Sequence, residues 1–172
     1  MGNETPSNFA PSASTESGGQ AELLTPNRAF ARTPAKRRVR SAGKHADRPK
    51  TSSRRILVVD DVADVTEMIA LFLKHAGFEV MTANSAATAL KITSQDQFDL
   101  IISDIGMPEM NGYDLAGSLR RRETYVETPM IALTGYTEYD DRGRSLQAGF
   151  NAHLTKPINP SQLLTVIGEL LG

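Results

Sequence analysis

The stretch Phe98-Asp99-Leu100-Ile101-Ile102-Ser103-Asp104-Ile105-Gly106-Met107-Pro108 decides the fold. An apolar, β-prone run ends in a lone carboxylate, and a Gly and a Pro then turn the chain away. Strands of a parallel α/β sheet are covered on both faces, so a charge belongs at their carboxyl edge, where ligands of such sheets bind. Three other stretches share this form. Ile56-Leu57-Val58-Val59 runs into Asp60-Asp61, Met130-Ile131-Ala132-Leu133 into Thr134, and Ala152-His153-Leu154-Thr155 into Lys156-Pro157. As parallel neighbours, these strands bring three carboxylates, a hydroxyl and an ammonium to one edge.

Helical signals separate the strands. Val65, Met68, Ile69, Phe72, Leu73 and Ala76 recur near the 3.6 period, predicting a helix over Asp64–Ala76 that Gly77 closes in the left-handed conformation. Phe78–Ala83 reads as the second strand, followed by a helix capped by Ser85 and ending near Ser94. Asn111–Arg122 is a third helix, whose terminal Arg120, Arg121 and Arg122 complement the dipole and read as structural rather than as a phosphate site. The fourth, over Glu138–Ala148, is polar and carries Gly143; Asp140 and Arg144 are spaced to pair one turn apart. Asn159, Pro160 and Gln162 make a strong start for the last helix. Strand and helix thus alternate five times over residues 56–172. The expected fold is α/β: a flavodoxin-like, doubly wound, five-stranded parallel sheet of order 2-1-3-4-5.

The remainder is a different object. Residues 1–55 hold eleven Lys or Arg and four acidic residues (11 − 4 = +7), and residues 56–172 hold eight and sixteen (8 − 16 = −8). Residues 1–54 are expected to be a disordered basic extension preceding a folded domain at 55–172, because Ser, Thr, Pro and Gly dominate the start and apolar periodicity is absent. The positive run reads either as a solvated linker, the plainer option, or as an electrostatic arm for nucleic acid or an acidic partner. An incorrectly assigned start codon would also account for it. No cysteine is present, which excludes disulfide, thiolate and cysteine–zinc chemistry. Neither an apolar run of the roughly 20 residues a membrane span needs nor a secretory signal core is found, so a cytoplasmic location is expected.

Three clustered carboxylates repel one another unless a cation enters, and an oxygen-only donor set suits Mg²⁺. A carboxylate inside such a site can act as a nucleophile toward phosphorus, with Lys156 and the Thr134 hydroxyl facing the phosphoryl oxygens.

With these residues in order, residues 56–172 resemble a response-regulator receiver domain of two-component signalling, of the chemotaxis-regulator type. The acidic pair Asp60-Asp61, Asp104 before Met107-Pro108, Gly112, Thr134 and Lys156-Pro157 carry the likeness. The resemblance implies that Asp104 accepts a phosphoryl group from a phosphohistidine on a sensor kinase or phosphotransfer protein. It implies Mg²⁺ on Asp61, Asp104 and the Gly106 carbonyl, with Asp60 acting through water, and a cis Lys156-Pro157 bond. It makes the domain a phosphoacceptor rather than an enzyme, with no output domain after the last helix. His153 stands where the family often has an aromatic switch residue, so it is either a substituted switch or an edge-strand histidine. Gly106 and Tyr136 occupy the positions that place or block the hydrolytic water, which suggests slow self-dephosphorylation. Two alternatives remain open. A small Mg-dependent aspartyl phosphatase would want an Asp where Gly106 stands; a phosphorylation-independent interaction module would more often lack Asp104, Thr134 or Lys156.

Overall fold

The computed structural model describes residues 22–23, 53–135 and 139–172, with the backbone alone at 22–23 and 139–142. Within residues 55–172 the chain runs β1 (Arg55–Val59), α1 (Ala63–His75), β2 (Glu79–Ala83), α2 (Ala86–Gln95), β3 (Leu100–Asp104) and α3 (Gly112–Arg120). A single 3-10 turn (Glu123–Tyr125) leads to β4 (Met130–Thr134), α4 (Tyr139–Ala148), β5 (Ala152–Thr155) and α5 (Pro160–Leu171). These five strands are parallel in the order 2-1-3-4-5, as their sequence alternation predicts. Beyond β5, Glu22–Leu23 adds a two-residue antiparallel strand, pairing Glu22 with His153 and Leu23 with Ala152. At those two positions the structure departs from the disorder expected of residues 1–54; residues 1–21 and 24–52 lie outside the described residues.

The period-2 alternation of the strands divides the core into two layers. Leu57, Val59, Ile101, Met130 and Ala132 face one cluster with Leu115 and Leu119 of α3 and the buried Tyr125. Ile56, Val58, Leu100, Ile102, Ile131 and Leu133 face the other, with Ile69 and Leu73 of α1 and Leu163 and Ile167 of α5. Every residue of β3 and β4 is buried, in keeping with runs that are apolar up to Ser103-Asp104 in β3 and Thr134 in β4.

Local signals are met where expected. Gly77 has φ +94 after α1. The Ser85 hydroxyl accepts from Thr88 N–H, Asn111 Oδ1 from Asp114 N–H, and Asn159 Oδ1 from the amides of Ser161 and Gln162. The α1 start differs: its cap is Val62, without a side-chain cap bond, and the Val62 amide donates instead to Asp60 Oδ1 at 2.9 Å.

Two basic residues at the edge of the charged extension belong to the fold. The Arg55 guanidinium bonds Glu79 and Asp96, each at 3.0 Å, and stacks 5.1 Å from the Phe98 ring centre, while Arg54 pairs with Asp99.

Candidate functional site

The carboxyl ends of β1 and β3 are neighbours where the strand order reverses, and both end in acids. Asp104 is the last residue of β3, in register with Leu133, and the next amide, Ile105 N–H, still bonds Leu133 O. The sheet ladder therefore fixes the backbone that carries the carboxylate. Asp60 continues from β1, its amide donating to Ala83 O at 3.2 Å. One carboxylate oxygen from each of Asp60, Asp61 and Asp104 lies within 4.8 Å of the others. Asp60 and Asp104 are buried and Asp61 is exposed.

Lys156 follows β5, and its backbone amide bonds Thr134 O at 2.8 Å. Its ammonium lies 2.8 Å from Asp60 Oδ2 and 2.8 Å from Asp104 Oδ1. Burial works against the Lys156 charge, but hydrogen bonds to Asp104 and Asp60 outweigh it and raise the ammonium's pKa. The Lys156–Pro157 peptide is cis, as the resemblance implied.

Gly112 brings helix α3 close to the acceptor. A Cβ there would lie 2.3 Å from Asp104 O, and its amide donates to Ile105 O at 3.0 Å. The glycine of this position, legible in the sequence, therefore answers to a close approach of backbones. At Gly106 a Cβ would stand 3.4 Å from Asp104 Oδ2, in ordinary van der Waals contact with the carboxylate.

A cleft of about 410 Å³ opens over Asp104, with Gly106, Thr134 and Lys156 around the acid. Asn111, Tyr113 and Arg144 complete its helical wall. Sequence reasoning missed Tyr113 and Arg144 as site residues. Tyr113 directly follows Gly112, which is a usable signal; Arg144 comes from a polar helix and had none. The expected Asp140–Arg144 pair falls on an Asp140 side chain outside the described residues, as does Tyr136. Arg144 stacks over Tyr113, 4.9 Å from the ring centre. His153 is half-buried on β5, its backbone between Ala132 and Glu22.

The donor set fits Mg²⁺: three carboxylates converge at one edge, no histidine or cysteine joins them among the described residues, and one acid is exposed to a hydrated ion.

Fold and site together define a response-regulator receiver domain, and the comparisons agree. The family model for the response regulator receiver domain matches residues 56–168, and the chain belongs to that family. It is 36% identical over 116 residues to the phosphate regulon transcriptional regulatory protein PhoB of Pseudomonas aeruginosa, covering 67% of this chain and 51% of that one. The chemotaxis response regulator CheY4 of Vibrio cholerae superimposes with a TM-score of 0.67 at 33% identity, over 70% of this chain and all 100% of that one. The receiver domain of a Pseudomonas aeruginosa sensor histidine kinase, solved with a magnesium ion coordinated in its active-site cleft, gives a TM-score of 0.66 at 28% identity. It covers 70% of this chain and 99% of that one. Receiver domains are signalling domains that interact with histidine kinases and bind Mg²⁺ at an acidic cluster. Among the described residues no helix is long and apolar enough to cross a membrane.

Proposed function

We propose that Asp104 is the phosphoacceptor of a Mg²⁺-dependent phosphorelay, taking its phosphoryl group from a phosphohistidine on a sensor histidine kinase or a histidine phosphotransfer protein. The observation that carries this reading is the ammonium of Lys156 placed 2.8 Å from Asp104 Oδ1, beside two further carboxylates, at the floor of an open cleft. An acid held only for stability would be served by its lysine alone. Three acids around one lysine leave a net charge of 1 − 3 = −2, which calls for a divalent cation.

In the reaction an Asp104 carboxylate oxygen attacks phosphorus in line with the phosphorus–nitrogen bond. The new P–O bond forms as the P–N bond breaks, and the imidazole nitrogen leaves with the electron pair and takes a proton from water. Asp61, Asp104 and the Gly106 carbonyl, with Asp60 acting through water, would hold Mg²⁺, whose charge would neutralise the phosphoryl oxygens. Lys156 turns its ammonium from the two acids to a phosphoryl oxygen, and the Thr134 hydroxyl donates to another. The reorientation of Thr134 and Lys156, which end β4 and precede Pro157, is the step that transmits the signal to the β4–α4–β5 side.

Incubation with Mg²⁺ and a phosphorylated kinase or phosphotransfer protein should give an acid-labile label on the wild type and none on Asp104→Asn. Label persisting on Asp104→Asn would move the chemistry to another residue.

A further inference from the structure

Lys156 is committed to two carboxylates, whereas the second cation of the cleft is differently held. Arg144 is an exposed residue of α4, a position where a long side chain ordinarily samples many rotamers. Here its guanidinium rests on the Tyr113 ring at 4.9 Å, and that ring is braced edge-on by Phe150 at 6.4 Å and 75°. Phe150 is buried, and Tyr113 follows the glycine whose amide is tied to Ile105 O. The seat of Arg144 is therefore anchored both to the acceptor loop and to the end of α4.

The cleft it overlooks, about 410 Å³, is many times the roughly 30 Å³ share of one water. There is room for a phosphoryl group together with its leaving group. With Asp60, Asp61, Asp104 and Lys156 the sum around that space is 1 − 3 = −2, which a bound divalent cation would bring to zero, and Arg144 adds one positive charge on the wall. An approaching donor is itself an anion, so the guanidinium on the wall attracts it in proportion to the donor's charge.

We infer that Arg144, seated on Tyr113, is a donor-recognition residue that favours dianionic phosphoryl donors over monoanionic ones. The inference rests on Asp104 as the acceptor. It acts on donor entry and leaves the bond-making step to Asp104. With acetyl phosphate, an Asp104 oxygen bonds to phosphorus while the P–O bond to acetate breaks and acetate leaves with the electron pair. With phosphoramidate, whose nitrogen is already protonated in the zwitterionic monoanion, the P–N bond breaks and neutral ammonia leaves with the electron pair.

The test compares second-order phosphorylation constants of the full chain, Mg²⁺ present, with acetyl phosphate (a dianion near neutral pH) and phosphoramidate (a monoanion). Arg144→Ala should lose about fivefold with acetyl phosphate and about twofold with phosphoramidate at low salt, the larger loss shrinking as salt is added. Arg144→Lys should recover much of the loss, and Tyr113→Leu, which removes the seat but keeps the charge, should fall between. A readout independent of turnover is the Arg144 Nε–H resonance, which should shift on titration with inorganic phosphate in the wild type and shift less in Tyr113→Leu. Equal losses with both donors, no loss with either, or an Arg144 resonance indifferent to phosphate would overturn the inference. Wild-type protein that takes no label from either donor would instead remove the Asp104 reading, and this one with it. If Arg144→Ala proves unstable by thermal melt, Arg144→Gln and the Tyr113→Leu salt profile decide the matter.

Discussion

Two cations, Lys156 and Arg120, sit at opposite edges of the same sheet, and their surroundings could hardly differ more. Lys156, after the carboxyl end of β5, is shared by two carboxylates, and its pKa is raised. Arg120, at the end of α3, reaches the amino ends of β4 and β5. It donates to Gly149 O at 2.6 and 3.0 Å, Tyr125 O at 2.6 Å, Thr128 O at 2.7 Å, Val126 O at 3.2 Å and Asn151 Oδ1 at 3.0 Å. Burial lowers the Arg120 pKa, with Glu127 opposing, because its partners are neutral oxygens that satisfy its protons without balancing its charge. A guanidinium saturated by carbonyls fastens loops together. An ammonium held by acids keeps a charge that an incoming phosphoryl group can claim. The lesson is that neighbours, more than the residue type, decide whether a half-buried cation serves the fold or the chemistry.

The largest effect should come from removing the fastener. Arg120→Ala leaves several part-buried carbonyls without this donor, and about 3 kcal/mol of stability should be lost in urea unfolding. The folded fraction should still accept phosphate at Asp104. A drop in acceptance matching that of a Lys156 variant would erase the distinction between the two edges.

Lys156→Met should cost less, about 2 kcal/mol without metal, since the ammonium paired with the buried Asp60 and Asp104 is itself partly solvated and screening discounts the broken pairs. Added Mg²⁺ should return most of that loss, because a cation again sits among the acids, whereas Arg120→Ala should gain no such rescue. Thermal melts of both variants with and without Mg²⁺ make this a crossed comparison. Equal rescue in both, or in neither, would break it.

Each edge also has its own glycine. Alanine at Gly112 would push 2.3 Å from Asp104 O, and alanine at Gly149, where φ is +102, would meet Arg120 Cγ at 2.7 Å. Gly112→Ala and Gly149→Ala should each cost about 1.5 kcal/mol. Only Gly112→Ala should also slow phosphate acceptance per folded molecule, since its displacement falls on the acceptor's own backbone.

Much of this contrast was legible in the sequence at one edge and little at the other. Asp60, Asp61, Asp104, Thr134 and Lys156 each end a recognisable strand, so their meeting follows from the strand order alone. Arg120 reads locally as a helix-terminal cation, a structural role that holds. Its partners at Gly149 and Asn151, however, lie 29 and 31 residues away and belong to a loop that no periodicity marks. The same distance in sequence hid the Arg144–Tyr113 stack. Glu22–Leu23 gave no warning either, since two residues cannot display an alternation.

The smallest test concerns Tyr125, whose carbonyl is one of the Arg120 acceptors. Its side chain is buried, and its hydroxyl donates to Asp96 O at 2.6 Å. Burial raises the pKa of this hydroxyl above the ordinary 10.0, with the positive charges of Arg122 and Arg55 working against the shift. A raised folded-state pKa means that the folded protein holds the proton more tightly than the unfolded chain. The associated stability is complete below pH 10.0 and is lost as pH rises through the folded value. Tyr125→Phe should therefore cost about 1 kcal/mol at pH 7, the worth of one hydrogen bond. Above pH 10 the gap between wild type and variant should close, because only the wild type then has to bury a phenolate or unfold. Urea unfolding of the two proteins on both sides of pH 10 measures the gap directly. A gap constant with pH would mean that the hydroxyl ionises as easily in the fold as in water, and that the Arg120 edge is more open to solvent than its packing indicates.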